Sequence, residues 1–292
     1  MLWLLFAISA ALLWATVTII DKHVVSDELK DPFLCATVFG FGLFIILSLF
    51  SLFFIEFTLP LKVIALALGI GFLYIGGIFL YYRALQVEEA SRVAPILSLT
   101  ALWVFALAVL FLKESFSALQ LLGIFLLILG AVIISLKISV KYKISSALFI
   151  AGLAAIFFGS RDFLLKLLTS LASLLSFLFF IGLGALITAS IILLIHHPHI
   201  KKKAKLGIEH LVLNSFLSSI ALIFYFFAVS LHSVAIVAAL LGLISLFVFI
   251  LASWLSKFHP KIILEKLTKP NLILKLVGIL TILLGTILVS LF

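Results

Sequence analysis

Long apolar runs follow one another along this chain, with only short polar breaks between them. They fall near residues 2–22, 32–54, 62–83, 93–112, 117–136, 146–168, 173–195, 211–231, 234–255 and 272–291. Most approach the ~20 apolar residues that a helix needs to cross about 30 Å of hydrocarbon. Period-two alternation is absent, which argues against barrel strands. In lipid only helices and closed barrels satisfy their own backbone hydrogen bonds. The pattern therefore predicts an all-α integral membrane protein with ten transmembrane helices, numbered here as spans 1 to 10. The first run lacks a basic leading region and has an internal counterpart at 146–168, so it reads as a true span and not as a signal peptide.

The pattern is written twice. Shifted by 144 residues, Trp14 meets Phe158, Lys22 meets Lys166, Gly40 meets Gly184, Tyr81 meets Tyr225, and Val93-Ala94 meet Val237-Ala238. Past Lys113 and Lys257 the offset grows to 155, where Gly123 meets Gly278 and Gly130 meets Gly285. The 11 extra residues fall between Lys257 and Lys275. Each copy holds five spans. Five is odd, so the second copy enters the membrane from the opposite side. Residues 1–137 and 145–292 are thus expected to form two inverted five-helix repeats, with a site where they meet.

Composition agrees with lipid as the solvent. The chain is 66% hydrophobic and 11% charged, with mean hydropathy +1.47. A net charge of +9 would suit nucleic acid, but the lysines sit in loops between spans, where they report orientation instead. Of the 20 Lys and Arg residues, Lys62, Lys113, Arg161 and Lys166 fall on one side and the other 16 on the other. The odd-numbered loops are then cytoplasmic and both termini lie outside. The single cysteine, Cys35, cannot form an intrachain disulfide and reads as a small buried hydrophobe.

No P-loop, HExxH, CxxC or paired-carboxylate constellation occurs, so no catalytic residue, metal ligand or cofactor is expected. His196-His197-Pro198-His199 lacks an acidic or cysteine partner and reads as an interfacial loop. Between Pro260 and Pro270, residues 261–267 fit either a short amphipathic helix lying in the interface or an ordinary basic connector.

The run Tyr81-Tyr82-Arg83-Ala84-Leu85-Gln86-Val87-Glu88-Glu89-Ala90-Ser91-Arg92-Val93-Ala94-Pro95 is followed by Leu110-Phe111-Leu112-Lys113-Glu114, Leu122-Gly123 and Leu129-Gly130-Ala131. Together with Trp14 and Lys22 it resembles the EamA family of the drug/metabolite transporter superfamily. The second copy departs from the pattern, with Ala239 in place of Pro95 and Phe258 in place of Glu114. The resemblance implies a central cavity between spans 1, 3, 4 and 6, 8, 9, with spans 5 and 10 peripheral. Members carry amino acids, sugars, nucleotide-linked sugars, drugs and other metabolites, so it does not choose a substrate. Many members keep both termini in the cytoplasm; the lysine count here says the reverse and is preferred.

Asp162 is the sharpest candidate, inside span 6. A lone charge at mid-bilayer costs roughly 3 kcal/mol or more and normally faces a wet cavity or a partner. Arg161 is adjacent and Lys166 lies one turn on. In one reading Asp162 exchanges a proton or binds a cationic group while Arg161 meets a substrate carboxylate. In the other, the three charges sit near the outer headgroups and pair with each other and with water. Tyr74, Gly77 and Tyr81 share a face of span 3, and Ser218, Ala221 and Tyr225 occupy the matching places in span 8. Such a face suits either an organic solute or helix packing. Trp14 and Trp103 are further cavity candidates; packing reads equally well for Trp14, and Trp103 is the weaker of the two. The glycines at 123, 130, 278 and 285 suit close packing or a dimer surface. Asn214 reads as meeting headgroups, His232 and Glu114 as solvated, and Asp21, His23, Asp27, Glu28 and Asp31 as a solvated connector after span 1.

The expected function is non-ATP secondary transport of a small organic metabolite by alternating access, in the cell membrane of a prokaryote. An amino-acid or metabolite exporter is the first form, with a small-molecule substrate and the lipid bilayer as partners and no nucleic acid. Proton coupling through Asp162 and a homodimer are attached expectations. A lipid-linked substrate flippase is the alternative, and a membrane-embedded lipid enzyme the remoter one.

Overall fold

A computed structural model describes residues 2–52, 59–135, 146–197, 204–258 and 269–291. Among these every regular element is a helix, with no strand. The helices are α1 (Leu2–His23, continued by a π turn Val24–Glu28), α2 (Pro32–Ser51), α3 (Leu61–Val87), α4 (Ala90–Leu97), α5 (Thr100–Leu107, continued by a π turn Ala108–Leu112) and α6 (Ala118–Ser135). After these come α7 (Ser146–Thr169), α8 (Leu174–His196), α9 (Lys205–Leu231), α10 (Val234–Leu240), α11 (Leu243–Phe258) and α12 (Lys269–Leu291). The predicted interfacial segment at 261–267 lies outside the described residues.

Among the described residues, six of the ten expected spans are long and apolar enough to cross a membrane: Leu2–Glu28, Pro32–Ser51, Leu61–Val87, Leu175–His196, Lys205–Leu231 and Val234–Phe258. Thr100–Leu112, Ala118–Gly130 and Ile273–Val289 are shorter apolar helices, and α7 carries Arg161, Asp162 and Lys166. The protein is an integral, multi-pass membrane protein. Leu5, Phe72, Phe125, Leu194 and Leu280 point outward, which suits a hydrocarbon solvent and not water.

Two spans differ from the sequence expectation by being broken. The chain tightens into i→i−3 bonds at Ser98–Leu99, where Leu99 N donates to Ile96 O (3.0 Å) and Ala101 N to Ser98 O (3.1 Å). It does the same at Leu241–Gly242, where Gly242 N donates to Ala239 O and Ile244 N to Leu241 O. The breaks separate α4 from α5 and α10 from α11, and Ser98 Oγ and Ser245 Oγ meet across them at 3.3 Å.

One fastening occurs twice. Lys22 Nζ donates to Leu85 O (2.7 Å) and Glu88 O (2.9 Å) at the end of α3. Lys166 Nζ donates to Val229 O and His232 O (2.8 Å each) at the end of α9. Every residue of the second set stands 144 positions after its counterpart. In each case an ammonium satisfies orphan carbonyls at a helix C-terminus, where the macrodipole favours a cation.

The main packing pairs are α1 with α9, α3 with α7, α2 with α8, and α6 with α12. The last pair is reciprocal. A Cβ on Gly123 would lie 3.0 Å from Gly285 O, one on Gly285 2.7 Å from Gly123 O, and one on Gly130 2.7 Å from Gly278 O. These four glycines therefore serve close packing within the chain, one of the two uses expected of them. Gly71 and Gly184 bring α3 and α8 into similar contact, since a Cβ on either would run into the other helix's backbone.

Candidate functional site

Ordinary helical periodicity aims six spans at one cavity. On α1, Trp14, Thr18 and Asp21 recur at steps of four and three; on α3, Tyr74, Ile78 and Tyr81 do the same. Phe158, Arg161 and Asp162 enter from α7, Ser218 from α9, Ser98 and Thr100 from the α4–α5 break, and Leu241 from the α10–α11 break. The cavity holds about 100 Å³. Its lining comes from spans 1, 3, 4, 6, 8 and 9, the set the family resemblance implies. Spans 5 and 10 contribute nothing to it among the described residues.

The cavity has two polar layers. Trp14 and Asp21 are seven residues apart, as are Tyr74 and Tyr81, so the layers stand two turns apart, about 10 Å along the helices. In the first layer Arg161 Nε donates to Asp162 Oδ1 at 2.8 Å, and a terminal nitrogen lies 2.7 Å from the same oxygen. The guanidinium carbon sits 4.7 Å from the Tyr74 ring centre, 5.2 Å from Phe158, 5.7 Å from Trp14 and 5.9 Å from Tyr225. Four aromatic faces thus surround one cation. Arg161 is 4% exposed and Asp162 is fully buried. This overturns the reading that these charges rest among headgroups. Lys166 takes no part in the pair, because its ammonium is spent on the end of α9.

The second layer was missed in the sequence. Asp21 is fully buried. Its Oδ1 accepts from Tyr82 Oη at 2.9 Å and from Asn214 Nδ2 at 2.6 Å, while Oδ2 is buried with no hydrogen-bond partner. Asn214 is fully buried too, so it meets Asp21 and not headgroups. The supposed connector is ordered because the π turn carries α1 on to Glu28. Glu28 Oε2 then meets His210 Nδ1 at 2.9 Å. Asp31 caps α2 by accepting from Phe33 N and Leu34 N, ahead of Pro32 at the first helical position. The signal available in the sequence was the spacing of Trp14, Thr18 and Asp21, which puts all three on one helical face.

The remaining expectations divide. Trp14, Tyr74, Tyr81, Arg161, Asp162 and Ser218 come together around the cavity. Tyr225 is fully buried behind it, its ring 5.6 Å from that of Trp14. Gly77 makes room for the Phe158 ring, which a Cβ would approach to 2.6 Å. Trp103 is not at the cavity. It is 39% exposed, and its Nε1 donates to Ser160 Oγ at 3.0 Å. Glu114 accepts from Ser233 Oγ at 2.5 Å at the start of α10 and is not free in water.

His232 is a stacked histidine and not a solvated one: its ring lies 4.1 Å from that of Trp3. Burial, helped by the nearby Lys166 ammonium, lowers its pKa from the ordinary 6.5. The unfolded chain therefore takes up this proton first as the pH falls. The stability His232 contributes is present above 6.5 and is lost as the pH drops through the folded value. The unfolding midpoint in detergent is expected to fall between about pH 7 and about pH 5, and His232→Phe, which keeps an aromatic ring on Trp3, is expected to flatten that slope.

Discontinuous helices that meet around a buried, charged cavity are an arrangement found in many membrane transporters. Residues 1–136 match the model of the EamA-like transporter family, part of the drug/metabolite transporter superfamily. A stretch of 63 residues is 41% identical to Uncharacterized protein MJ1333.1 of Methanocaldococcus jannaschii, covering 22% of this chain and 45% of that protein. The chain thus matches less than half the length of that relative. A solved crystal structure of a protein superposes over 98% of this chain and 96% of its own, with TM-score 0.70 and 16% sequence identity, a likeness of fold alone.

Proposed function

We propose that the chain is a secondary transporter of small organic metabolites that works by alternating access, in the cell membrane of a prokaryote. Residues 1–137 and 145–292 would be its two inverted five-helix repeats, giving ten spans. The observation that carries this reading is the cavity lined by residues of both sequence copies, with a buried Arg161–Asp162 pair inside an aromatic box. Burying two charges costs several kcal/mol per ion, an arrangement that stability alone does not favour. The twice-used lysine fastening and the two broken helices support a shared architecture for the halves. Rocking of one half against the other would expose the cavity to each face in turn.

The lysine bias supports outside termini. Setting aside cations engaged inside the protein removes Arg161 and Lys166 from the lysine-poor side and Lys22 and Lys275 from the lysine-rich side, and the bias keeps its direction. Purified protein in liposomes is expected to move a solute from a broad metabolite panel down its gradient, or against it with an imposed pH gradient, without ATP. Retention of every solute at protein-free levels would overturn the proposal.

A further inference from the structure

We propose that Asp21 is the cavity's cation site: its carboxylate takes either one organic ammonium ion with an apolar body or one proton, and never both. The inference rests on the transporter reading for movement, though not for binding. Asp21 lines the cavity's second layer, and its Oδ2 is buried with no hydrogen-bond partner. A buried carboxylate must be neutralised or paired. Among the described residues no cation pairs with it. Lys22, its chain neighbour, is turned to the end of α3, and Arg161, two turns away, is held by Asp162. The groups facing Asp21 are Tyr81 and Tyr82 from α3, Cys35 from α2 and Asn214 from α9, with Tyr74 and the Arg161–Asp162 pair in the layer beyond. None supplies a positive charge beyond the one already paired. With Asp21, Arg161 and Asp162 all charged, the cavity lining carries one negative charge in excess.

The same geometry selects the shape of the ligand. Trp14, Tyr74 and Phe158 in the first layer and Ile78 between the layers offer aromatic and aliphatic walls, suited to the apolar body of a monocation. An α-amino acid fits poorly. Its carboxylate sits on the same carbon as its ammonium, so it would be drawn against Asp21 and could not reach a guanidinium about 10 Å away. Because a proton and an ammonium ion compete for one carboxylate, a bound cation expels a proton, and transport of one would run against movement of the other. The expectation of proton exchange thus moves from Asp162, which Arg161 holds, to Asp21.

The test uses the full chain in detergent, with 2-phenylethylammonium as the probe and phenylacetate, phenylalanine and sodium ion as comparisons. Binding is followed by intrinsic tryptophan fluorescence and by proton release in weakly buffered solution. The probe is expected to bind saturably and to release up to one proton. Its affinity should rise about tenfold per pH unit while Asp21 is protonated and level off above that. Asp21→Asn is expected to lose at least about tenfold in affinity and all of the pH dependence, and Asp21→Glu to restore both in part. Tighter binding of phenylacetate or phenylalanine, equal proton release by sodium, or an unchanged pH slope in Asp21→Asn would overturn the assignment. Where Asp21→Asn does not fold, the proton count of the unmodified chain decides alone. Probe binding with proton release in a protein that moves no solute leaves Asp21 standing and removes the transporter reading. Solute movement with no cation-linked proton release does the reverse.

Discussion

Replacing Arg161 with alanine is expected to abolish transport and to lower stability by about 3–5 kcal/mol, because it leaves the Asp162 carboxylate buried without its cation. Arg161→Lys should recover little. The guanidinium is planar, uses two nitrogens on one Asp162 oxygen and lies against four aromatic rings, which a compact ammonium cannot reproduce. Removing both charges together, as Arg161→Leu with Asp162→Leu, is expected to return most of the stability, since neither charge is then left buried alone. It should not return transport. Thermal unfolding in detergent and uptake into liposomes separate the two effects. An Arg161→Ala protein with an unchanged midpoint would mean that water already reaches the pair.

The second large effect concerns the lysines that fasten helix ends. Lys22→Met and Lys166→Met each remove two charge-assisted bonds to terminal carbonyls and are expected to cost about 1.5–3 kcal/mol apiece. Methionine keeps the apolar stem, so the loss reports the ammonium and not the packing. If the copies are equivalent the two costs are close to equal, and the double variant shows their sum, because the sites share no partner. A large loss at one lysine and none at the other would break the equivalence.

The six helices long enough to cross a membrane were legible because each is apolar nearly all round, and the likeness of the two sequence copies because identical residues recur at a fixed offset. The breaks at Ser98–Leu99 and Leu241–Gly242 were not legible. They change the hydrogen-bond pitch by one residue inside an apolar run and leave the pattern unaltered. Trp14, Tyr74 and Tyr81 could be picked out as one-face residues of spans lined up by the repeat. Trp103 has the same chemistry, but its placement toward Ser160 depends on the break just before it. Lys166 looked like the partner of Asp162 because one turn separates them, whereas its true partners lie 63 and 66 residues further on. Asp21 was hidden by its neighbours. Lys22, His23, Asp27, Glu28, Lys30 and Asp31 read together as a watery connector, and only the continuation of α1 to Glu28 draws Asp21 inside. A face-by-face reading would have found it, since a helical wheel ignores chain neighbours.

The central claim is that positions 144 residues apart lie on opposite sides of the membrane. Asp27 and Leu171 are such a pair, both exposed at helix ends. With the buried Cys35 replaced by alanine, single cysteines at 27 and 171 can be treated with a membrane-impermeant thiol reagent in intact and in permeabilised cells. The cysteine at 171 is expected to label in intact cells, and the one at 27 only after permeabilisation. Labelling of both from the same side would contradict the inverted arrangement and, with it, the alternating-access cycle proposed for the two halves.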